Sequence, residues 1–512
     1  MISLIEPKAK FHIGQVSKKI PIQGPQIIST ILKAKGFKTE IHSEHQRPLP
    51  LNKIINHSSI IFISINIYNS IRGYEIARRI KEVKNIPIVF GGLHAILFPD
   101  EAINFGDYVI KGEAEETIVP ILENIKYRTP EKSLGLVYKK NGKVFHTPDA
   151  APPNNINVLP DYAAVQGYKK TINNRFDHFA LLSASRGCPY TCQYCGIIKG
   201  FGNKVRYKDA DFVVKELKAV LDFHRKWWLR KPFINVVWFT DDYFFADRQK
   251  AGEILTAIIK SGIRTNIVMQ SRVEIGKDLE MLKLFKEAGG YRLYLGIENP
   301  SRACLEDYHK KLDVDIMTES INNIQLHDIE VFGLFMYGGD KYYPGTGEKI
   351  ARFAIENNIA GLLLQAVYPI PSTEFFSNNK NKNRIFTYDW SYYRGLVVFF
   401  SKYIKPSVLQ REMIETSVLF YSVKRLFSTF GKYKLPYMFP GEWWWHVKER
   451  KDMENWAVKL EEIEAPYYDK EGILIEENLR NMKPFIPDIL KPYSHLYLNK
   501  KEEMKRETVS VY

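Results

Sequence analysis

Three of the four cysteines in this 512-residue chain lie within eight positions, in the segment RGCPYTCQYCG. They are Cys188, Cys192 and Cys195, whereas Cys304 lies far downstream. The spacing C-x3-C-x2-C lets three thiolates converge on one centre from a short loop, with one coordination position left open. A structural zinc site needs four protein ligands, and no second C-x2-C pair accompanies this loop. Because iron-sulfur clusters normally have four cysteine ligands, three cysteines favour a cluster with one open iron.

Composition places limits on the setting in which this loop works. A disulfide across three or four residues closes almost no loop, so the cysteines do not indicate a secreted disulfide framework. The N-terminus lacks the continuous apolar stretch of a signal peptide, and no run of about 18 apolar residues occurs. We therefore expect a cytoplasmic protein. The net charge of +15 favours anionic partners or surfaces, including peripheral contact with a membrane; a merely solvating charge is the equal alternative.

Two series of alternating strands and helices surround the cysteine loop. Apolar runs at 59–65, 86–92 and 108–113 predict a Rossmann-like, doubly wound α/β domain over residues 1–147. A Pro- and Asn-rich linker is expected over 148–177. Six further strands predict a partial (β/α)6 TIM barrel over 178–380, with chemistry at the carboxyl ends of its strands. These strands are expected at 178–187, 234–242, 265–272, 291–299, 330–339 and 360–369. Residues 381–512 are expected to form a mostly helical domain.

The cysteine loop resembles the hallmark of the radical S-adenosylmethionine (radical SAM) enzymes. Their motif, C-x3-C-x-aromatic-C after the first barrel strand, is matched by Cys188, Cys192, Tyr194 and Cys195. The resemblance implies a 4Fe-4S cluster on the three cysteines, with SAM chelated at the open iron. It also implies that the reduced cluster cleaves SAM to a 5'-deoxyadenosyl radical, which takes a hydrogen from the substrate. An external electron donor such as flavodoxin or ferredoxin would then be required.

Polar residues at later strand ends fit the same family. Asp241 and Asp242 stand where relatives have a turn that contacts the SAM amino group, and Arg272 suits a carboxylate. Gly296 and Glu298 resemble the family's Gly-Ile-Glu segment, in which the glycine admits the ligand and the glutamate accepts SAM hydroxyl or amino protons. The alternative interpretations are that the two aspartates are solvated loop residues or a helix cap, and that Arg272 is a surface residue.

The stretch VFGGLHAILFPDEAINFGDYVIKGEAEETI resembles the cobalamin-binding domain that precedes the barrel in one branch of radical SAM enzymes. The resemblance implies cobalamin contacts at neighbouring strand ends, namely Ser64, Gly91, Gly92, Gly112 and Glu113. The motif Asp-x-His-x-x-Gly is absent, so cobalamin is expected without a histidine below the cobalt. His94 is expected as a local turn or surface residue. A degenerate domain that has lost cobalamin is the alternative.

The C-terminal segment 387–426 resembles the extension of the same branch, which includes hopanoid-lipid methylases and relatives of an anaerobic porphyrin-ring cyclase. The resemblance implies a cobalamin-dependent methyltransferase that acts on an unactivated carbon of a small molecule, such as a lipid or tetrapyrrole. A cyclase or rearranging enzyme shares every motif and is the alternative. A tRNA-modifying methylthiotransferase is disfavoured because residues 1–187 contain no cysteine, and no nucleic-acid partner is expected.

Basic and aromatic residues are mixed over 401–437 and precede Trp443, Trp444 and Trp445. Three consecutive tryptophans cannot share one face of a helix. We therefore expect at least one to face a substrate cleft, a partner or a membrane interface, with a packed helical cap as the alternative.

Overall fold

A computed structural model describes residues 1–11, 20–169, 179–228, 236–378, 383–429 and 438–498. In its N-terminal part, a seven-stranded sheet has the order β2-β1-β3-β4-β5-β6-β7. The first five strands in this order are parallel, and β6 and β7 add an antiparallel edge. The strands are β1 Ile2–Glu6, β2 Thr39–Ser43, β3 Ile60–Ser64, β4 Ile88–Gly91, β5 Tyr108–Ile110, β6 Leu136–Lys140 and β7 Lys143–His146.

Amphipathic helices cover this sheet. Helix α3, for example, buries Ile76, Ala77 and Ile80 against the strands, which read as continuous apolar runs because both faces are covered. The strand order reverses between β1 and β3, and ligands of doubly wound sheets bind at such a reversal, beyond the carboxyl ends of the strands. The helices are α1 Gln23–Ala34, α2 Leu51–His57, α3 Ser70–Val83, α4 Leu93–Leu97, α5 Pro99–Ala102 and α6 Ile118–Lys126.

The second sheet has six parallel strands in the order β15-β14-β13-β12-β11-β8, which confirms the partial barrel. Its interior holds an aromatic stack in which Tyr294 lies 4.7 Å from Trp238 and 4.3 Å from Phe332, between ring centroids. Its strands are β8 Phe179–Leu182, β11 Val236–Phe239, β12 Asn266–Arg272, β13 Gly290–Glu298, β14 Glu330–Tyr337 and β15 Gly361–Ala366, and a small hairpin is formed by β9 Ser185–Arg186 and β10 Arg206–Tyr207.

Helices alternate with the barrel strands, as the sequence predicts. They are α7 Ile197–Phe201, α8 Ala210–Trp228, α9 Arg248–Lys260, α10 Leu279–Glu287, α11 Arg302–Asp307, α12 Met317–Leu326, α13 Thr346–Glu356 and α14 Glu374–Ser377.

Helices also dominate the chain after residue 405, which confirms the predicted character of this part. They are α15 Pro406–Phe420, α16 Val423–Thr429, α17 Met438–Glu464 and α18 His495–Leu498. The C-terminal helix returns to the first sheet, because Tyr497 donates a hydrogen bond to Glu101. None of the helices in the described ranges combines the length and the hydropathy that a bilayer crossing requires.

Candidate functional site

The three clustered cysteines lie on the loop between β9 and α7, and all are half-buried. Gly187 opens this loop at φ 94°, and a Cβ there would lie 2.8 Å from the Lys204 carbonyl oxygen, so the turn requires glycine. The pKa of Cys195 is raised to about 12, chiefly by burial and in smaller part by the neighbouring thiols of Cys192 and Cys188. As placed, these thiols do not form a group of three that could hold a metal ion, and neither does any other His, Cys, Asp or Glu set in the described ranges.

Asp241 and Asp242 hold the backbone that enters the cysteine loop. The Asp241 carboxylate accepts hydrogen bonds from the Ala184 backbone N–H at 3.1 Å and the Ser185 hydroxyl at 2.5 Å. The Asp242 carboxylate accepts one from the Gly187 N–H at 3.2 Å. Burial raises the pKa of each aspartate to about 6. Both side chains therefore lie at the predicted strand end, and both are engaged with the chain itself.

Glu298 ends β13 in a left-handed conformation, with φ 60°. Its Oε1 accepts hydrogen bonds from Lys310 Nζ at 2.5 Å and from the Tyr194 hydroxyl at 3.3 Å. Lys310 also donates to the Gly296 carbonyl oxygen at 2.9 Å. A Cβ on Gly296 would lie 2.9 Å from both Lys310 Nζ and Glu298 Oε1, so a side chain there would displace this ion pair. The predicted SAM-binding pair thus lies beside the aromatic residue of the cysteine motif.

Arg272 is buried at the end of β12 and is not a surface residue. Its guanidinium lies 3.8 Å from the centre of the ring of Tyr190, within the cysteine loop. It also pairs with Glu274 at 2.5 Å and donates to the Lys311 carbonyl oxygen. Arg272 therefore stacks on the loop and ties it to the segment that carries Lys310.

A cavity of about 290 Å³ lies between the carboxyl edge of the first sheet and the entrance of the cysteine loop. Every residue predicted to contact cobalamin lines it, namely Ser64, Gly91, Gly92, Gly112 and Glu113. The barrel side contributes Ser183, Ser185, Arg186, Thr240 and Asp242. The predicted cobalamin contacts therefore face the same space as Asp242 and the residues that enter the cysteine loop.

Glycines give this cavity a wall of bare backbone. A Cβ built on Gly24, Gly91 or Gly112 would meet nothing within 4 Å, so each glycine leaves open space that a side chain would enter. Gly92 differs, because its φ is 90° and a Cβ would lie 2.6 Å from the Ile65 carbonyl oxygen. Such a wall admits a large, flat ligand close to the backbone. Gly24 was not among the predicted contacts.

Glu113 has a second role that the sequence analysis missed. Its carboxylate pairs with Arg186 at 2.7 Å and with Arg206, on the two strands of the small hairpin. Glu115 adds a pair with Arg186 at 2.5 Å. These bonds join the first sheet to the residue that stands two positions before Cys188. The signal available in the sequence was the position of Arg186 beside the cysteine motif.

The expectation for His94 was wrong. The side chain is fully buried, and its Nε2 lies 2.9 Å from Oε1 of the equally buried Glu101. Helix α4 turns this side chain away from solvent and from the cavity. Trp443, Trp444 and Trp445 fall within helix α17, but their side chains lie outside the described residues.

Comparisons with known proteins agree with this geometry. Residues 182–354 match the family model of the radical SAM superfamily. The chain is 24% identical to an uncharacterized methyltransferase of Pyrococcus horikoshii, over 68% of this chain and 79% of that protein. It is also 24% identical to the hopanoid C-2 methylase of Rhodopseudomonas palustris, over 61% of this chain and 55% of the methylase.

The fold is similar to that of the cobalamin-dependent radical SAM enzyme OxsB, solved with aqua-cobalamin bound. The TM-score is 0.63 at 13% identity, and the match covers 100% of this chain and 80% of OxsB. The family match covers the cysteine loop and the strand ends at Asp242, Arg272 and Glu298. Residues 182–354 are therefore a radical SAM domain, and the fold of the chain is similar to that of a cobalamin-dependent radical SAM enzyme.

Proposed function

We propose that this enzyme methylates an unactivated carbon of a small molecule with the help of cobalamin. One observation carries the proposal: a single cavity is bounded by glycine backbone from the first sheet and by Ser185, Arg186 and Asp242 beside the cysteine loop. A methyl carrier and a source of radicals must both reach the same substrate carbon. The cavity supplies the shared space that this chemistry needs.

The ligand chemistry of the cysteine loop, three thiols on one short segment, suits an iron-sulfur cluster once the thiols converge on it. Cys188, Cys192 and Cys195 are soft thiol ligands on one loop, and three of them leave an iron open for SAM. When bound, the cluster and SAM supply the carbon radical that takes a hydrogen atom from the substrate. Glu298 would accept SAM hydroxyl or amino protons, and Asp242 would face the SAM ammonium group. Reduction of the cluster calls for an external electron donor of the flavodoxin or ferredoxin class.

The fully buried Asp241 has both oxygens occupied by Ala184 and Ser185. Arg272 is likewise committed to Glu274 and to the ring of Tyr190. We therefore assign Asp241 and Arg272 to positioning the cysteine loop, with direct SAM contact left to Asp242, Gly296 and Glu298. This division follows from the partners that each side chain already has.

The glycine wall fits cobalamin. Gly91 and Gly112, with Gly24 opposite, would let the corrin lie against backbone, and Ser64 and Glu113 would border it. When bound, cobalamin supplies the methyl group. The cavity is lined mostly by apolar side chains such as Ile5, Phe62, Ile96 and Ile110, which exclude water from the reacting groups.

Loss of the cysteines tests the radical step. Anaerobically reconstituted protein should bind about four irons and cleave SAM with dithionite, whereas the variant with Cys188, Cys192 and Cys195 all replaced by Ala should do neither. Cys304→Ala is the matched control, because this cysteine is buried on α11 and its thiol donates to the Lys341 carbonyl oxygen, and it should retain both properties. SAM cleavage by the triple variant would refute the assignment.

Cobalamin retention and product mass test the methyl transfer. The full-length protein should keep one corrin per chain through gel filtration, and turnover with methyl-deuterated SAM should add one labelled methyl group to the product. Lipid and tetrapyrrole extracts provide the candidate substrates. A product formed without a labelled methyl group would favour a cyclase or rearranging enzyme, the second candidate.

A further inference from the structure

Arg394 lies on a segment that joins the carboxyl edges of both sheets. Its guanidinium carbon is 4.4 Å from the centre of the ring of Tyr68, which follows β3 and the cavity residue Ser64. The next residue, Gly395, accepts a hydrogen bond from the Ala366 N–H at 3.2 Å, at the end of β15. Arg394 therefore stands where the last barrel strand approaches the edge predicted to hold cobalamin.

Tyr368 relates this location to the cysteine loop. Tyr368 follows β15 by two residues, and its ring centroid lies 5.8 Å from that of Tyr393. The pKa of Tyr368 is raised to about 12, chiefly by burial. The charge of Arg394 opposes this shift, and Tyr68 and Cys195 add to it. Tyr368 therefore interacts electrostatically with Arg394, with Tyr68 and with Cys195, a predicted cluster ligand.

The charge of Arg394 is not balanced by a carboxylate in the described ranges. Other arginines near the site all have such a partner, as Arg186 has Glu113 and Arg272 has Glu274. For Arg394 the contacts are the Tyr68 ring and its own backbone bond to Tyr392. A half-buried guanidinium that stacks on a ring keeps its edge donors available for an oxyanion.

We propose that Arg394, with the hydroxyls of Tyr68 and Tyr368, binds an anionic group of the substrate. The group is a carboxylate or a phosphate, and the guanidinium fork would hold two of its oxygens. This inference rests on the proposed function, because it takes the substrate to extend from the cavity with the glycine wall to the neighbouring carboxyl edge where Arg394 lies. It selects amphipathic acids over uncharged hydrocarbons as the substrate class.

Calorimetry on the reconstituted holoenzyme tests the site with matched small probes. Octanoate and octyl phosphate carry the two candidate anions on the same apolar chain, and octanamide is the neutral control. Octanoate or octyl phosphate should bind at least tenfold more tightly than octanamide, and the tighter of the two identifies the anion. Arg394→Gln should weaken binding of that anion roughly 10- to 100-fold, and Arg394→Lys should lie between, because it keeps the charge without the fork.

Arg352→Gln is the matched control. It removes the same charge from an exposed helix position that pairs with Glu348, and it should leave anion binding unchanged. Equal binding of octanamide and both anions, or an unchanged anion affinity in Arg394→Gln with native circular dichroism, would overturn the inference. A rise in the KM for SAM larger than the loss of anion affinity would assign Arg394 to the SAM carboxylate and also overturn it.

The failure of this inference is distinguishable from that of the proposed function. The same protein preparation is assayed for SAM cleavage, which depends on the cysteine loop and needs no substrate anion. Retained SAM cleavage without anion selectivity removes the Arg394 site alone. Loss of SAM cleavage from correctly reconstituted wild-type protein removes the proposed function.

Discussion

Replacement of Glu101 by Ala should strongly destabilise the folded chain. This carboxylate on α5 is fully buried and has four polar partners from distant parts of the sequence. It accepts hydrogen bonds from the Tyr74 hydroxyl at 2.8 Å, from Trp390 Nε1 at 2.8 Å and from the Tyr497 hydroxyl, and His94 Nε2 lies 2.9 Å away. One side chain thus joins the first sheet, the segment after the barrel and the C-terminal helix.

The size of the effect follows from what each substitution leaves behind. Glu101→Ala strands several buried polar groups at once, which costs about 3–5 kcal/mol when a buried charged partner is removed. Trp390→Phe removes one donor and keeps most of the ring packing, so it should cost about 1.5–3 kcal/mol, the range for a hydrogen bond to a charged group. The order of the two losses is therefore fixed by the number of broken bonds.

Urea unfolding followed by far-ultraviolet circular dichroism measures these losses. Glu454→Ala is the control, because that glutamate is half-exposed on α17 and its ion pair among the described residues is with Arg450; its loss should stay below about 0.5 kcal/mol. A Glu101→Ala variant as stable as this control would show that the buried network contributes no net stability. A larger loss for Trp390→Phe than for Glu101→Ala would contradict the bond-counting argument.

Three further substitutions test separate features. Burial raises the pKa of Glu6 from 4.5 to about 7, so folded Glu6 keeps a proton that the unfolded chain releases in this window. Glu6 alone should therefore lower the free energy of unfolding by about 3 kcal/mol as pH rises through the window, in addition to the contributions of Asp241 and Asp242. Glu6→Gln should make the slope shallower by that share in urea titrations at several pH values, and an unchanged slope would contradict this. Gly92→Ala should lower the free energy of unfolding by about 1–3 kcal/mol, because the added Cβ would lie 2.6 Å from the Ile65 carbonyl oxygen. It should also reduce corrin retention in gel filtration, and unchanged retention would contradict this. Lys310→Met removes the cation that lies 2.5 Å from the Glu298 carboxylate. It should raise the KM for SAM and lower the free energy of unfolding by about 3–5 kcal/mol. The loss of stability should be smaller when Lys310→Met is introduced into the Glu298→Gln variant.

The strands that the sequence revealed are those buried on both faces. The six barrel strands and β3 to β5 read as apolar runs because both faces of each sheet are covered. Among the missed strands, β2 and β7 carry weaker patterns, whereas β1 is buried at every position and was missed although it is mostly apolar. In β2, Thr39–Ser43, apolar Ile41 stands among polar residues, and every side chain of β7 is exposed. Such edge strands form because a neighbour offers backbone hydrogen bonds, which the strand's own side chains do not encode.

Residue types at the site were predictable, but their partners were not. The cysteine spacing and the strand-end glycines mark their positions directly in the sequence. The ion pair of Glu113 with Arg186 joins residues 73 positions apart, and no local period signals such a contact. His94 was misplaced for the same reason, because its buried partner Glu101 gains the Trp390 bond only through the folded C-terminal segment.

The first sheet fixes the cysteine loop at both of its ends. At the entrance, Arg186 is bound by carboxylates of that sheet, so a shift of the sheet would move the chain two residues before Cys188. At the exit, α4 packs on α7 so closely that a Cβ on Gly200 would lie 2.6 Å from Leu93, and one on Gly196 would lie 3.1 Å from Leu97. Directional ion pairs resist sliding, and close-packed contacts resist approach. The predicted cobalamin site and the predicted cluster ligands are therefore held in a fixed relative position. A shift of the sheet edge that would hold cobalamin would also move the cysteine loop.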